Sequence, residues 1–359
     1  MPSPRRYAWV LAGSHVPPPA GAAAQPRAEF EAFVEAFGGE LFSLATLEDG
    51  TALLPNLLRA AGRPRAALAQ LVQSRAGSFD AIIASGEDIG IPLVLASLPR
   101  WRKVPVHMLF HGHHLESRRL RLLAPMLRRA RHVHFHCLSE ALRQRTIDVL
   151  GIDPARCHAT GHAVDTRYFS GTVTDAAKVI SSAGAANRDY ATLAEAVRDI
   201  SVSVKIAADS TWVPPKKAPS TAGWPAHVEL RSYGNYARLR ELYRQSRFVV
   251  VPMHQAQHAC GYAVIAEAMA MGRAVIATRT AAPPDFLQHG VTGFFTEVHD
   301  AAGLSRCISD LLAHPEKAET LGRQAREWIV SRNSLEHFCH RLEAIIAAAL
   351  EGVPLDADI

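Results

Sequence analysis

Short, almost wholly apolar runs alternate along this chain with stretches in which apolar positions fall three and four residues apart. In the first half the runs are YAWVLA (Tyr7 to Ala12), FDAIIAS (Phe79 to Ser85), VPVHMLFH (Val104 to His111) and HVHFHCLS (His132 to Ser139). Helix-period stretches such as AEFEAFVEAF (Ala28 to Phe37) and LLPNLLRAA (Leu53 to Ala61) lie between them. Strands separated by helices predict parallel βαβ units. The same grammar restarts after the Gly-, Ser- and Thr-rich FSGTVTDAAK (Phe169 to Lys178). Its strands are VISSAG (Val179 to Gly184), VSVKIAA (Val202 to Ala208), HVELRSY (His227 to Tyr233), FVVVPM (Phe248 to Met253) and AVIATRT (Ala274 to Thr280). Its helices are YATLAEAVRDI (Tyr190 to Ile200), YARLRELYRQS (Tyr236 to Ser246) and the stretch around Glu267. The expectation is an α/β chain of two tandem, doubly wound, Rossmann-like domains, residues 1–168 and 169–334. A C-terminal helix, 335–359, packs back across the boundary. PPPAGAAAQP (Pro17 to Pro26) reads as an N-terminal loop. Ligands in such sheets sit at the carboxyl ends of the strands, so a cleft between the domains is the expected site.

Composition narrows the picture. A chain of 359 residues with 48% hydrophobic content suits two globular domains. The formal charge of +5 is carried by dispersed Lys and Arg, so no nucleic-acid partner is expected. The five cysteines are widely spaced and form no CxxC pair, which argues against a disulfide framework and for a reducing compartment. No signal pattern and no membrane-spanning apolar run is evident, so a cytoplasmic location is expected.

One carboxylate stands out. In GYAVIAEAMAMGRAVIAT (Gly261 to Thr278), Glu267 lies within an almost wholly apolar stretch. An ionised Glu removed from water costs several kcal/mol unless something pairs with it. Continuing to Phe295, this segment carries an E-A-M-A-x-G helix, a V-I-A-T strand and a later D-x-x-x-x-G-x-T-G. CLSEALRQRTIDVLGIDPARCHATGHAVDTRYF (Cys137 to Phe169) adds a Ser-initiated helix and a closing V-D-x-x-x-F, and SAGAANRDYATLAEAV (Ser182 to Val197) a glycine loop. In this order and spacing the segments resemble GT-B glycosyltransferases of family 4, from about Phe79 onward. Before that the likeness is only topological.

The resemblance implies a nucleoside-diphosphate sugar as co-substrate and no separate cofactor. Glu267 would accept hydrogen bonds from the ribose hydroxyls, solvated in an open cleft until then; local pairing on its helix is the other reading. Arg188 would neutralise the leaving diphosphate, against the alternative of a solvated Arg paired with Asp189. Gly184, Gly261, Cys260, Ala268 and His258 are the accompanying donor-binding positions. His111, in FHGHH (Phe110 to His114), would face the sugar. Two departures from the family pattern stand out. The family often carries two glutamates separated by seven residues, but the first position here is Ala259; Gln257 or His258 would have to substitute. The Arg that often follows the glycine is Ala185.

Other clusters carry less. His111, His113 and His114, with the alternating His132, His134 and His136, suggest a metal, yet no carboxylate or Cys completes an evident tetrahedral set, so none is expected. SRRLRLLAPMLRRARH (Ser117 to His132) interleaves arginines with leucines. It would suit an anionic inner-membrane surface, although Pro125 interrupts it and a solvated helix face explains it as well. Glu87 and Asp88 stand as acceptor contacts of low specificity. The reading is a retaining transferase acting on a sugar, lipid-linked or small-molecule hydroxyl. An epimerase on the same fold and a non-catalytic sugar-nucleotide binder are the alternatives. No Walker loop, dinucleotide fingerprint or serine elbow supports a kinase, dehydrogenase or esterase.

Overall fold

The structure is a computed structural model that describes residues 5–15, 25–47, 53–99, 103–171, 179–208 and 220–355. Most of the Gly/Ser/Thr-rich linker and of the Pro/Ala-rich loop lies outside them. The chain divides into two compact units. One gathers Glu29–Gly161 with the N-terminal strand and the residues from Phe338 onward; the other gathers His162–His337 with a short segment ending at Ala28.

The strands of the first unit are β1 (Tyr7–Val10), β2 (Glu40–Phe42), β3 (Ala81–Ala84), β4 (Val106–Phe110), β5 (Val133–Cys137) and β6 (Cys157–Ala159). Its helices are α1 (Glu29–Phe37), α2 (Leu53–Ala60), α3 (Pro64–Ser74), α4 (Glu87–Ser97), α5 (Arg118–Arg129) and α6 (Glu140–Leu150). The sheet is parallel, in the order β2-β1-β3-β4-β5-β6. Its inner strands are buried at every position in β1, β3 and β4 because helices cover both faces. α6 starts at Ser139, whose side chain accepts from Leu142 N, and stops at Gly151 in the left-handed region.

In the second unit the elements are β7 (Val179–Ala183), α7 (Tyr190–Ala196), β8 (Ser203–Ala207), β9 (Val228–Arg231), α8 (Tyr236–Gln245), β10 (Ser246–Val251), α9 (Tyr262–Ala270), β11 (Ala274–Thr278), β12 (Gly293–Thr296), α10 (Ala301–Ala313) and α11 (Pro315–Arg332). Its parallel sheet runs β12-β11-β10-β7-β8-β9. Counted from β7 as first strand, that is the dinucleotide-binding order 3-2-1-4-5-6. The order reverses between β7 and β10, so the loops that follow these two strands flank the crevice where ligands of such sheets bind.

The chain passes between units at Gly161/His162 rather than after residue 168. The V-D-x-x-x-F element belongs to the second unit: Asp165 accepts from the Arg27 guanidinium and from Arg167 N, and Phe169 is buried against Tyr243. The last helix, α12 (Leu335–Glu351), joins the first unit from Phe338, where His340 meets the Phe37 ring and Arg341 donates to Thr160 O.

Candidate functional site

Glu267 is 8% exposed, in a helix whose other residues are nearly all buried. Its Oε2 accepts a hydrogen bond of 2.9 Å from the fully buried Tyr243 hydroxyl, presented by the inner face of α8. Burial pushes the carboxyl up to about 7, against the opposing effects of the Tyr243 hydrogen bond and the Arg188 charge. The expectation of a Glu solvated until a ribose arrives is therefore corrected. The carboxylate is buried and already holds a protein partner, from a different helix. The sequence carried one signal for it: a Tyr on the apolar face of α8 must find a hydrogen-bond partner once buried.

Arg188 lies in the turn between β7 and α7. Its Nε donates to Ala183 O and its Nη1 to Ala186 O, each at 2.8 Å, and Nη1 is 3.9 Å from Cys260 Sγ. Gly184 makes this pose possible. Its φ is +99°, and a Cβ there would sit 2.5 Å from Arg188 Nη2. No carboxylate among the described residues lies within ion-pair distance of this guanidinium. The pairing of Arg188 with Asp189 does not occur. Asp189 instead caps α7 through Thr192 N and binds the Thr192 hydroxyl and His299 Nδ1, each of these two at 2.7 Å.

Gly261 opens α9 at a φ of +77°, where a Cβ would meet Met253 Sδ at 2.6 Å. Cys260 beside it is buried. His258 is part-exposed in the same loop. Gln257 keeps its Oε1 buried, with no hydrogen-bond partner among the described residues. Ala268 is 0% exposed and its carbonyl is taken by Arg273 N, so as a donor-binding position it offers no surface and serves packing instead.

In the first unit the order reverses between β1 and β3, and Glu87 opens α4 just after β3. Its Oε2 accepts from His111 N at 3.1 Å and Oε1 from His113 N at 2.7 Å, while His111 Nδ1 lies 3.7 Å from Oε2. Burial works to raise Glu87, but the hydrogen bonding and charge of His111 bring it down to about 2. Burial likewise opposes protonation of His111, and Glu87 overrides it, holding the imidazole above its ordinary value. Glu87 is thus occupied by the FHGHH loop rather than offered to an acceptor, and Asp88 pairs with Arg65.

The alternating histidines form a ladder across three strands. His107 on β4 stacks on His134 of β5, which stacks on His158 of β6. His107 Nδ1 is 2.9 Å from His136 Nε2, and His134 Nδ1 is 3.3 Å from His158 Nε2. His132 turns away to Ser97 Oγ. The rings bond one another and the Thr160 hydroxyl, which lies 2.8 Å from His136 Nδ1. His107 and His158, which complete the ladder, were invisible in the sequence because strand register brings them in.

In α5 the stripe Leu120, Ala124 and Leu127 is buried and the arginines lie outside it, with Leu122 left 80% exposed. No helix among the described residues is long and apolar enough to cross a membrane.

The architecture is that of the GT-B class, an α/β chain with two parallel six-stranded sheets. It is shared with a solved glycosyltransferase of Rickettsia africae at a TM-score of 0.69 and 15% identity, over 97% of this chain and 99% of that one. HepE of Anabaena, solved with UDP and glucose, is similar at a TM-score of 0.69 and 16% identity, over 95% of this chain and 99% of that one. Residues 213–328, about a third of the chain, match the family described as Glycosyl transferases group 1. An 82-residue stretch, 23% of this chain, is 35% identical to the N-acetyl-alpha-D-glucosaminyl L-malate synthase of Bacillus anthracis. The matched stretches span 22% to 38% of the lengths of the curated relatives.

Proposed function

We propose that the chain is a glycosyltransferase that moves a sugar from a nucleoside-diphosphate sugar to an acceptor hydroxyl with retention of anomeric configuration. The observation that carries this reading is Arg188: a guanidinium fixed by two carbonyls, without an acidic partner among the described residues, at the β7/β10 switch point and electrostatically coupled to Glu267. A departing diphosphate is the ligand such a cation stabilises best.

The donor binds to the second unit. Glu267 accepts from the ribose, with Tyr243 fixing its other oxygen. The Cys260–Gly261 backbone lies along the sugar phosphate, and Gln257 Oε1 takes a sugar hydroxyl in place of the Glu that Ala259 replaces. His258 stands beside it. In the first unit His111, its imidazole held above its ordinary value by Glu87 against the effect of burial, lies at the carboxyl edge of β4. The leaving phosphate oxygen itself takes the acceptor proton on the same face, so rate comes from positioning and electrostatics. The transfer step uses no metal or cofactor. UDP in the Anabaena neighbour makes uridine donors the first to test. The arginine face of α5, with Leu122 and the exposed Leu53, Leu54 and Leu57 of α2, favours an acceptor presented at an anionic lipid surface.

The test is incubation of the full chain with nucleotide sugars and an acceptor panel, reading product configuration by NMR. Retention supports the mechanism and inversion contradicts it. The absence at Ala259 favours one second reading, a non-catalytic donor binder, which predicts nucleotide binding with neither transfer nor donor hydrolysis.

A further inference from the structure

The loops that follow β7, β10 and β12 bring Asp189, His254 and His299 together. Among the described residues theirs is the set of His, Cys and acidic ligand atoms that lie within 4.8 Å of one another. Asp189 Oδ2 is 2.7 Å from His299 Nδ1 and 3.7 Å from His254 Nδ1. The carboxylate is 3% exposed at the floor, and the two imidazoles, 50% and 63% exposed, stand over it on the solvent side. We infer that these three residues form a binding site for a zinc-class divalent cation, with solvent completing the coordination.

Two imidazoles and one carboxylate are a donor set for zinc or cobalt rather than for magnesium or calcium. At ordinary zinc bond lengths, tetrahedral ligand atoms stand about 3.3 Å apart. The observed separations bracket that value, so an ion enters by displacing His299 from its hydrogen bond by about 0.6 Å. Asp189 is pre-oriented by Thr192 N and the Thr192 hydroxyl, as metal-ligating carboxylates commonly are. Burial opposes its ionised state, yet those bonds and the two histidines keep its carboxyl below the usual range.

The backbone supports the same reading. Among the described residues the non-glycine positions at positive φ are Asn187 and His299, and both serve this cluster. Asn187 Nδ2 donates to His254 O, and His254 N donates to Asn187 O, fastening the two ligand loops. Glycine would satisfy the backbone at 299 without strain; a histidine there brings an imidazole to Asp189. The histidine ladder of the first unit, by contrast, bonds ring to ring. A bound ion ties together the three loops at the ligand edge of this sheet and fixes Asp189, the neighbour of Arg188. The inference stands without the transferase reading, because metal binding needs no donor.

The test uses the full untagged chain, stripped with chelator, titrated with Zn²⁺ by calorimetry and with Co²⁺ by visible absorption. His254→Ala and His299→Ala, singly and together, are the variants; both side chains are half-exposed, and unchanged circular dichroism confirms their fold. Expected are one tight Zn²⁺ site in the unaltered chain, an affinity loss of tenfold or more in each single variant, and loss of that site and of the Co²⁺ band in the double variant. A double variant that keeps the tight site, or an unaltered chain that binds no ion tightly, overturns the assignment.

Discussion

Replacing Glu267 with Gln should make the ligand-free protein more stable while weakening its nucleotide affinity by about tenfold or more. Burial raises the folded carboxyl from 4.5 to about 7, with Tyr243 and Arg188 acting in the opposite direction. A raised folded value means that the unfolded chain loses its proton first, so stability falls as pH rises from 4.5 to about 7 and stays low above it. At about 1.4 kcal/mol per unit, the ionised carboxylate costs the fold about 3 kcal/mol at pH 8 and less than about 1 kcal/mol at pH 5. Glutamine keeps an acceptor for Tyr243 and removes the charge. Chemical unfolding at pH 5 and pH 8, with and without nucleotide, measures the difference. A Glu267→Gln protein that is less stable than the unaltered chain at pH 8, or a difference independent of pH, would refute the reasoning.

Three further outcomes are expected. The ladder histidines His134 and His158, and His132 beside them, are each lowered to about 4, by burial first and then by neighbouring charges. Because the unfolded chain takes up protons that the folded one refuses, stability is full above pH 6.5 and falls toward pH 4. Each group costs about 2 kcal/mol at pH 5, which pH-corrected amide exchange of β4 and β5 should register against β8; equal protection at pH 7.5 and 5 would contradict it. Gly184→Ala places a Cβ on the Arg188 guanidinium at a positive φ, so diphosphate affinity should fall at least tenfold while the chain stays folded, as calorimetry and circular dichroism would show. Vesicles of anionic lipid should sediment the protein, and replacing Arg118, Arg119 and Arg121 with Gln should release it; equal sedimentation of that variant would remove α5 from the contact.

Much of the fold was legible because inner parallel strands are buried on both faces and therefore read as apolar runs, as in β4 and β11. The strands β2, β6 and β12 went unassigned because each is short and lies at a sheet edge, where less burial is required and the apolar signal is weak. Of the candidate site residues, Glu267 stood out from local pattern as a carboxylate in an apolar stretch, whereas Gly184 and Arg188 were named only through the family resemblance. Which partner Tyr243 meets was not legible, because that partner is a carboxylate 24 residues away on another helix. His299 was still less visible, meeting Asp189 across 110 residues of chain and from a backbone conformation no local signal announces. Side chains whose role depends on register or on loop convergence leave no periodicity to read.

The central claim is that the second unit holds a nucleoside diphosphate, with Arg188 on its phosphates. Calorimetric titration of the unaltered chain and of Arg188→Gln with UDP, GDP, ADP and TDP, and with the matching nucleosides, tests it directly. One diphosphate series should bind the unaltered chain, and Arg188→Gln should weaken that binding by about 10- to 100-fold, the worth of a charge-assisted hydrogen bond, while leaving the nucleoside unchanged. Failure of every diphosphate to bind, or equal binding by Arg188→Gln, would contradict the account.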